Sequence, residues 1–210
     1  VAPAAIADNF VRLLDTSRVD VQSLFARQRD ALATFNIALF GRTGAGKSSL
    51  IEALTFGRGT TVSQGESDWT TDVRPVDWHA CRLLDTPGIN GWGRTESRSE
   101  LEARARGAVE IADVVLLCFD TQSQQETEFR RVAEWVQAYG KPVVGVLNCR
   151  NPRWRLPALV PVGSARRTLS QAVREHEGNI RDELARLGLT GLPVVALSAK
   201  RALFARGTEP

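Results

Sequence analysis

The sequence predicts an α/β fold: a mostly parallel central sheet with helices on both faces, preceded by a separate helical element. Two observations carry this reading. From Phe35 onward, short apolar runs alternate with longer amphipathic ones, the pattern of strands joined by crossover helices. Before that point, residues 3–33 repeat apolar side chains at helical spacing.

The elements follow in order. Ile6, Phe10, Leu13 and Leu14, then Val21, Leu24, Phe25 and Leu32 after a break at Thr16 to Asp20, predict a helical hairpin or bent helix. The expected division is therefore a helical element over residues 1–34 and an α/β domain over residues 35–210. Within the latter, strands are predicted at Asn36 to Phe40, Val73 to Trp78, Cys81 to Leu84, Val114 to Phe119, Pro142 to Leu147 and Pro193 to Leu197. Ser123 with Glu126 forms a capping-box pattern opening a helix that runs to about Tyr139 and stops at Gly140. A second helix from about Arg166 places Leu169, Val173, His176, Ile180, Leu184 and Leu187 on one stripe and ends at Gly188. His176 on that stripe, and His79 beside a strand turn, read as core or boundary histidines and not as catalysts.

Composition removes several function classes. The three cysteines, Cys81, Cys118 and Cys149, are widely spaced and odd in number, so they read as reduced thiols and not as a disulfide framework. No apolar run approaches the ~20 residues of a membrane span, and the N-terminus lacks the pattern of a secretory signal. A cytoplasmic location is the expectation. With no methionine and a start at Val1, the chain reads as a processed product or a piece of a longer protein, whose attached domains would carry part of the biology. A formal charge of +3 is too small to identify a nucleic-acid or membrane partner.

Three segments carry chemistry. Gly41-Arg42-Thr43-Gly44-Ala45-Gly46-Lys47-Ser48 satisfies G-x-x-x-x-G-K-[ST] between a predicted strand and a predicted helix. In such a loop the glycines let successive N–H groups turn inward around a β-phosphate, and the following helix, with Ser49 in its first turn, adds its dipole. Lys47 then bridges β- and γ-phosphates, and the Ser48 hydroxyl is a ligand for Mg²⁺. Asp85-Thr86-Pro87-Gly88 follows the run Cys81 to Leu84, placing a carboxylate for Mg²⁺ at a strand end and the Gly88 N–H within reach of a γ-phosphate. Ser198-Ala199-Lys200 follows the last predicted strand, where the Ala199 N–H can face a base oxygen and the Lys200 stem can cover the base.

In this order and spacing the motifs resemble the translation-factor class of P-loop GTPases over roughly residues 35–202. Within that class, Gly-x-Thr-Gly-x-Gly-Lys-Ser and Asp-Thr-Pro-Gly-Ile look most like Era-like GTPases and the immunity-related, dynamin-like GTPases. The resemblance implies a Ras-like sheet, GTP and GDP as ligands, and hydrolysis by attack of water on the γ-phosphate. It also implies a switch threonine that completes the Mg²⁺ shell, assigned to Thr71 with Thr70 as the alternative.

Two departures from the family pattern bear on function. Where the family often has a water-orienting glutamine, this chain has Ile89, which cannot orient water by hydrogen bonding. Slow hydrolysis is expected unless a partner or self-association supplies the missing group. The asparagine of K⁺-dependent relatives and the P-loop arginine of large dynamin-like ones would both fall at Gly44; Arg42 and Arg94 are either arginine fingers or surface arginines. In the base-reading motif, Asn-Lys-x-Asp of the family is here Asn148-Cys149-Arg150-Asn151. Asn148 fits, but Asn151 replaces the carboxylate that accepts from guanine N1–H and its amine.

The loop after Asn148 holds Arg150, Arg153, Arg155, Arg166 and Arg167 around Trp154, either a contact for RNA, lipid phosphates or a partner, or a solvated rim. Trp69 and Trp92, inside the two switches, serve an interface or pack the resting switches. The expected function is a Mg²⁺-dependent GTPase switch or mechanoenzyme domain, with Lys47, Thr71 and Gly88 at the reacting phosphate. A nucleotide-dependent homodimer or protein partner fits the missing catalytic group. The alternatives are an interaction module that hydrolyses little and a dynamin-like membrane-remodelling GTPase.

Overall fold

The computed structural model describes residues 22, 25, 29, 33–57, 73–88, 98–121, 126–151 and 171–206. The chain divides into two compact units, Val1–Phe35 and Asn36–Pro210. Of the first, Gln22, Phe25 and Arg29 are helical, and the Ala33 N–H donates to the Arg29 carbonyl at 3.1 Å.

The second unit is built on six strands: β1 (Phe35–Phe40), β2 (Arg74–Trp78), β3 (Cys81–Asp85), β4 (Val114–Phe119), β5 (Val143–Asn148) and β6 (Val194–Leu197), in the order β2-β3-β1-β4-β5-β6. β1 with β4, β4 with β5, and β5 with β6 run parallel, while β2 and β3 are an antiparallel hairpin. Every predicted strand is found, with ends moved by a residue at most. His79 is not a core residue: it is exposed in the hairpin turn at φ 53°, the left-handed region a two-residue turn demands.

Five helices accompany the strands among the described residues: α1 (Lys47–Thr55), α2 (Arg98–Ile111), α3 (Glu126–Ala138), α4 (Gln171–Arg186) and α5 (Ala199–Arg206). Gly140 and Gly188 end α3 and α4 at φ 61° and 79°. Beyond them the Lys141 and Leu189 N–H groups return to the Val136 and Leu184 carbonyls at 2.8 Å each, the closure that glycine permits. Val173, Ile180 and Leu184 form the buried stripe of α4, with His176 half-buried at its edge. Ser123, Arg166 and Leu169 lie outside the described residues.

Alternation along the strands divides the core between the two faces. Ala38, Phe40, Val115, Leu117 and Phe119 pack with α2, α3 and α4 through residues such as Val109, Phe129, Val132 and Leu184. Leu39, Leu83, Cys118 and Val146 pack with α1 through Leu50 and Ile51, and Leu203 of α5 covers that side. α5 begins at Ala199, directly after β6, so the Ser-Ala-Lys segment itself opens it.

Candidate nucleotide-binding site

The site lies at the carboxyl ends of the parallel strands, where β1 separates β3 from β4 and the chain leaves the sheet on opposite sides, the usual place for a ligand crevice. Gly41 follows β1, and Lys47 opens α1. Gly44 and Gly46 hold φ of 85° and 92°, which residues with a Cβ rarely adopt. A Cβ on Gly41 would run into the Cys118 carbonyl of β4, and one on Gly46 into the amide of Asn148. The motif glycines are therefore demanded by neighbouring strands as much as by the turn.

Lys47 is buried, and its Nζ donates to the Gly41 carbonyl at 2.9 Å and the Arg42 carbonyl at 3.4 Å. Burial lowers its pKa, opposed by the nearby Asp85 carboxylate. Ser48 Oγ donates to Asp85 Oδ2 at 2.8 Å, bringing the two predicted oxygen ligands together. Burial raises the Asp85 pKa, with Lys47 and the Ser48 hydrogen bond acting against it. The Asp85–Thr86 corner is held from below, Thr86 Oγ1 donating to the Leu39 carbonyl at 2.6 Å. Gly88 lies against the phosphate loop so closely that a Cβ there would be 2.6 Å from Thr43 N.

Asn148 ends β5 and is buried. Its Nδ2 donates to the Ala45 carbonyl at 3.1 Å, and its Oδ1 accepts from the Ala199 N–H at 3.2 Å. Asn148 thus staples the phosphate loop to the start of α5. The Ala199 N–H, expected to face a base oxygen, is engaged by this side chain. Ser198 is buried between β6 and α5. Lys200 is exposed, and its ammonium lies 5.7 Å from the centre of the Phe204 ring one turn along. Ser49 is half-buried in the first turn of α1, and Asn151 is exposed.

Arg42, read as an arginine finger or a surface arginine, is half-buried, with its Nη2 3.5 Å from Oδ2 of the buried Asp120. Asp120 was missed by sequence reasoning, although it stands directly after the apolar strand β4 as Asp85 ends the run of β3. Arg150 was also missed as a site residue; its guanidinium reaches the rim of the phosphate loop at Gly44. Thr70, Thr71, Ile89 and Arg94 lie outside the described residues, as do Trp69, Trp92, Trp154 and the arginines from Arg153 to Arg167.

A family model described as 50S ribosome-binding GTPase matches residues 36–149, more than half of the 210-residue chain. GTPase Der of Lactobacillus acidophilus is 28% identical over 184 residues, covering 84% of this chain and 39% of the relative. GTPase Der of a Bradyrhizobium species is 30% identical over 170 residues, covering 77% of this chain and 33% of the relative. The chain thus spans between a third and two fifths of these relatives' length. Among solved structures, Era in complex with MgGDPNP and nucleotides 1506–1542 of 16S ribosomal RNA is similar in fold, with a TM-score of 0.54 at 20% identity over 80% of this chain and 52% of that one. These matches support the Era-like side of the resemblance and lend none to the dynamin-like, membrane-remodelling alternative. A phosphate loop closed by Asn148, a buried Lys47, and the Ser48–Asp85 pair within the matched span lead to one conclusion: this chain carries a GTPase domain and belongs to the 50S ribosome-binding GTPase family.

Proposed function

We propose that the chain binds GTP and GDP with Mg²⁺ and hydrolyses GTP by in-line attack of water on the γ-phosphate. The observation that carries this is the Ser48–Asp85 pair beside Lys47: a hydroxyl and a carboxylate at 2.8 Å, with Asp85 Oδ1 buried and lacking a hydrogen-bond partner among the described residues. An orphaned oxygen beside a hydroxyl suits a hard cation. Ser48 and Asp85 would hold Mg²⁺, which supplies charge neutralisation at the β- and γ-oxygens. Lys47 would release the Gly41 and Arg42 carbonyls to bridge the same phosphates. Gly88 would offer its N–H to the γ-phosphate, and Thr71 would complete the metal shell.

Turnover is slow, on the order of the 10⁻⁴ to 10⁻² s⁻¹ of unaided GTPases, because Ile89 cannot orient water, and it rises with a partner or a second copy. The Era neighbour bound to a 16S rRNA segment and the five arginines between Arg150 and Arg167 favour RNA as that partner. Calorimetry with GDP and GTP, on wild type and Lys47→Ala, tests the binding reading; unchanged affinity in the variant overturns it. Phosphate release over many turnovers, at rising protein concentration and with ribosomal RNA, tests hydrolysis. A protein that binds GTP tightly and releases no phosphate under any of these conditions is an interaction module instead.

A further inference from the structure

The chain continues in strand register one residue past β5, since the Cys149 N–H donates to the Leu197 carbonyl at 2.7 Å. Side chains in an extended chain alternate. Asn148 accordingly reaches the phosphate loop, and Cys149 turns the other way into the core with Leu147 and Val143. Arg150 returns to the side of the phosphate loop. Its Nη2 lies 4.0 Å from the position a Cβ on Gly44 would take, nearer than any other described side chain except those of the adjacent Thr43 and Ala45.

The consequence concerns charge. In the family pattern a lysine follows the asparagine, but here that place holds a buried thiol that brings no cation. Of the loop's own cations, Lys47 donates to the Gly41 and Arg42 carbonyls and is assigned above to the β- and γ-phosphates, and Arg42 lies 3.5 Å from Asp120. Arg150 is exposed, and of the loop glycines Gly41, Gly44 and Gly46 only Gly44 has a Cβ position free of close contact with the neighbouring strands.

We propose that Arg150 is a nucleotide-binding residue, its guanidinium closing the outer rim of the phosphate loop at Gly44 and donating to the α- and β-phosphates. A planar fork of N–H donors matches phosphate oxygens. Because diphosphate and triphosphate share those phosphates, the residue anchors both alike and leaves the γ-phosphate to Lys47 and Gly88. The inference rests on the nucleotide-binding reading above.

Titration calorimetry of GDP and GTP on Arg150→Ala, Arg150→Lys and Lys47→Ala tests it, with single-turnover hydrolysis at saturating GTP. Arg150→Ala is expected to weaken GDP and GTP equally, by about tenfold, the loss of one charge-assisted contact. Its affinity should also depend less on salt, and Arg150→Lys recovers most of the affinity. Two results overturn the inference while leaving the nucleotide site intact. One is full affinity in Arg150→Ala beside lost affinity in Lys47→Ala. The other is a slowed single turnover at unchanged affinity, which would make the guanidinium a catalytic group at the γ-phosphate. Silence in both variants would sink the nucleotide reading and this inference with it.

Discussion

Ser48 Oγ donates to Asp85 Oδ2 across 2.8 Å, tying the first turn of α1 to the end of β3. The other carboxylate oxygen is buried with no hydrogen-bond partner among the described residues, and burial raises the group's pKa above its ordinary 3.8. Burial makes this charge costly to hold, and Lys47 and the Ser48 hydrogen bond offset part of that cost.

Asp85→Asn should therefore stabilise the nucleotide-free protein at neutral pH by about 1 kcal/mol, while abolishing the Mg²⁺ dependence of nucleotide binding. The sign follows from linkage: with the folded pKa raised, Asp85 leaves stability intact below 3.8 and costs it as pH rises through the folded value. The advantage of the variant in urea melts should open as pH rises from there. An advantage that is constant with pH, or a destabilised variant, would contradict this account.

Removing the Asn148 side chain strips partners from two buried groups, the Ala45 carbonyl and the Ala199 N–H. At about 1 to 3 kcal/mol for each unsatisfied group, Asn148→Ala should cost roughly 3 kcal/mol in denaturant unfolding and loosen GDP binding together with it. Asn148→Asp keeps the acceptor for Ala199 but sets an oxygen against the Ala45 carbonyl, so it should not rescue. Wild-type stability in Asn148→Ala would show that the staple is dispensable.

The cysteines should separate by reactivity. Burial pushes the Cys118 thiol up to about 12 and the Cys149 thiol to about 11, leaving both almost wholly protonated, whereas Cys81 is half-buried at the start of β3. Brief iodoacetamide treatment of the native protein should label Cys81 first, with the other two reacting only on unfolding. Peptide mass spectrometry reads this directly, and early label on Cys118 would mean that β4 opens.

Base selectivity offers the fourth test. If Asn151 accepts from guanine N1–H, its NH₂ meets the guanine amine donor to donor, and against xanthine it would meet a carbonyl. Asn151→Asp should shift the GTP-to-XTP affinity ratio toward GTP by about tenfold, near 1.4 kcal/mol. Competition with GTP, XTP, ITP and ATP on both proteins decides it; an unchanged ratio removes Asn151 from base reading.

All six strands were legible because each is an apolar run between turn residues, and the phosphate loop because its glycines, lysine and serine are contiguous. The helix α2 was not marked. Of its four buried positions, Leu101, Ala105, Ala108 and Val109, two are alanines, so its stripe carries a weak periodic signal although it packs on the core. Asp120 carried a strand-end signal like that of Asp85, yet its partner Arg42 lies 78 residues away.

What the sequence determined by itself is therefore local: strands, the glycine loop, and the acid at the end of β3, each specified by neighbours in the chain. What tertiary structure decided is where long side chains and single N–H groups go. Asn148 takes up the Ala199 N–H, Arg42 turns to Asp120, and Arg150 crosses to Gly44. Those choices depend on which strand ends are adjacent in the sheet, and adjacency of β1, β4 and β5 is a property of the packed core that no stretch of sequence encodes alone.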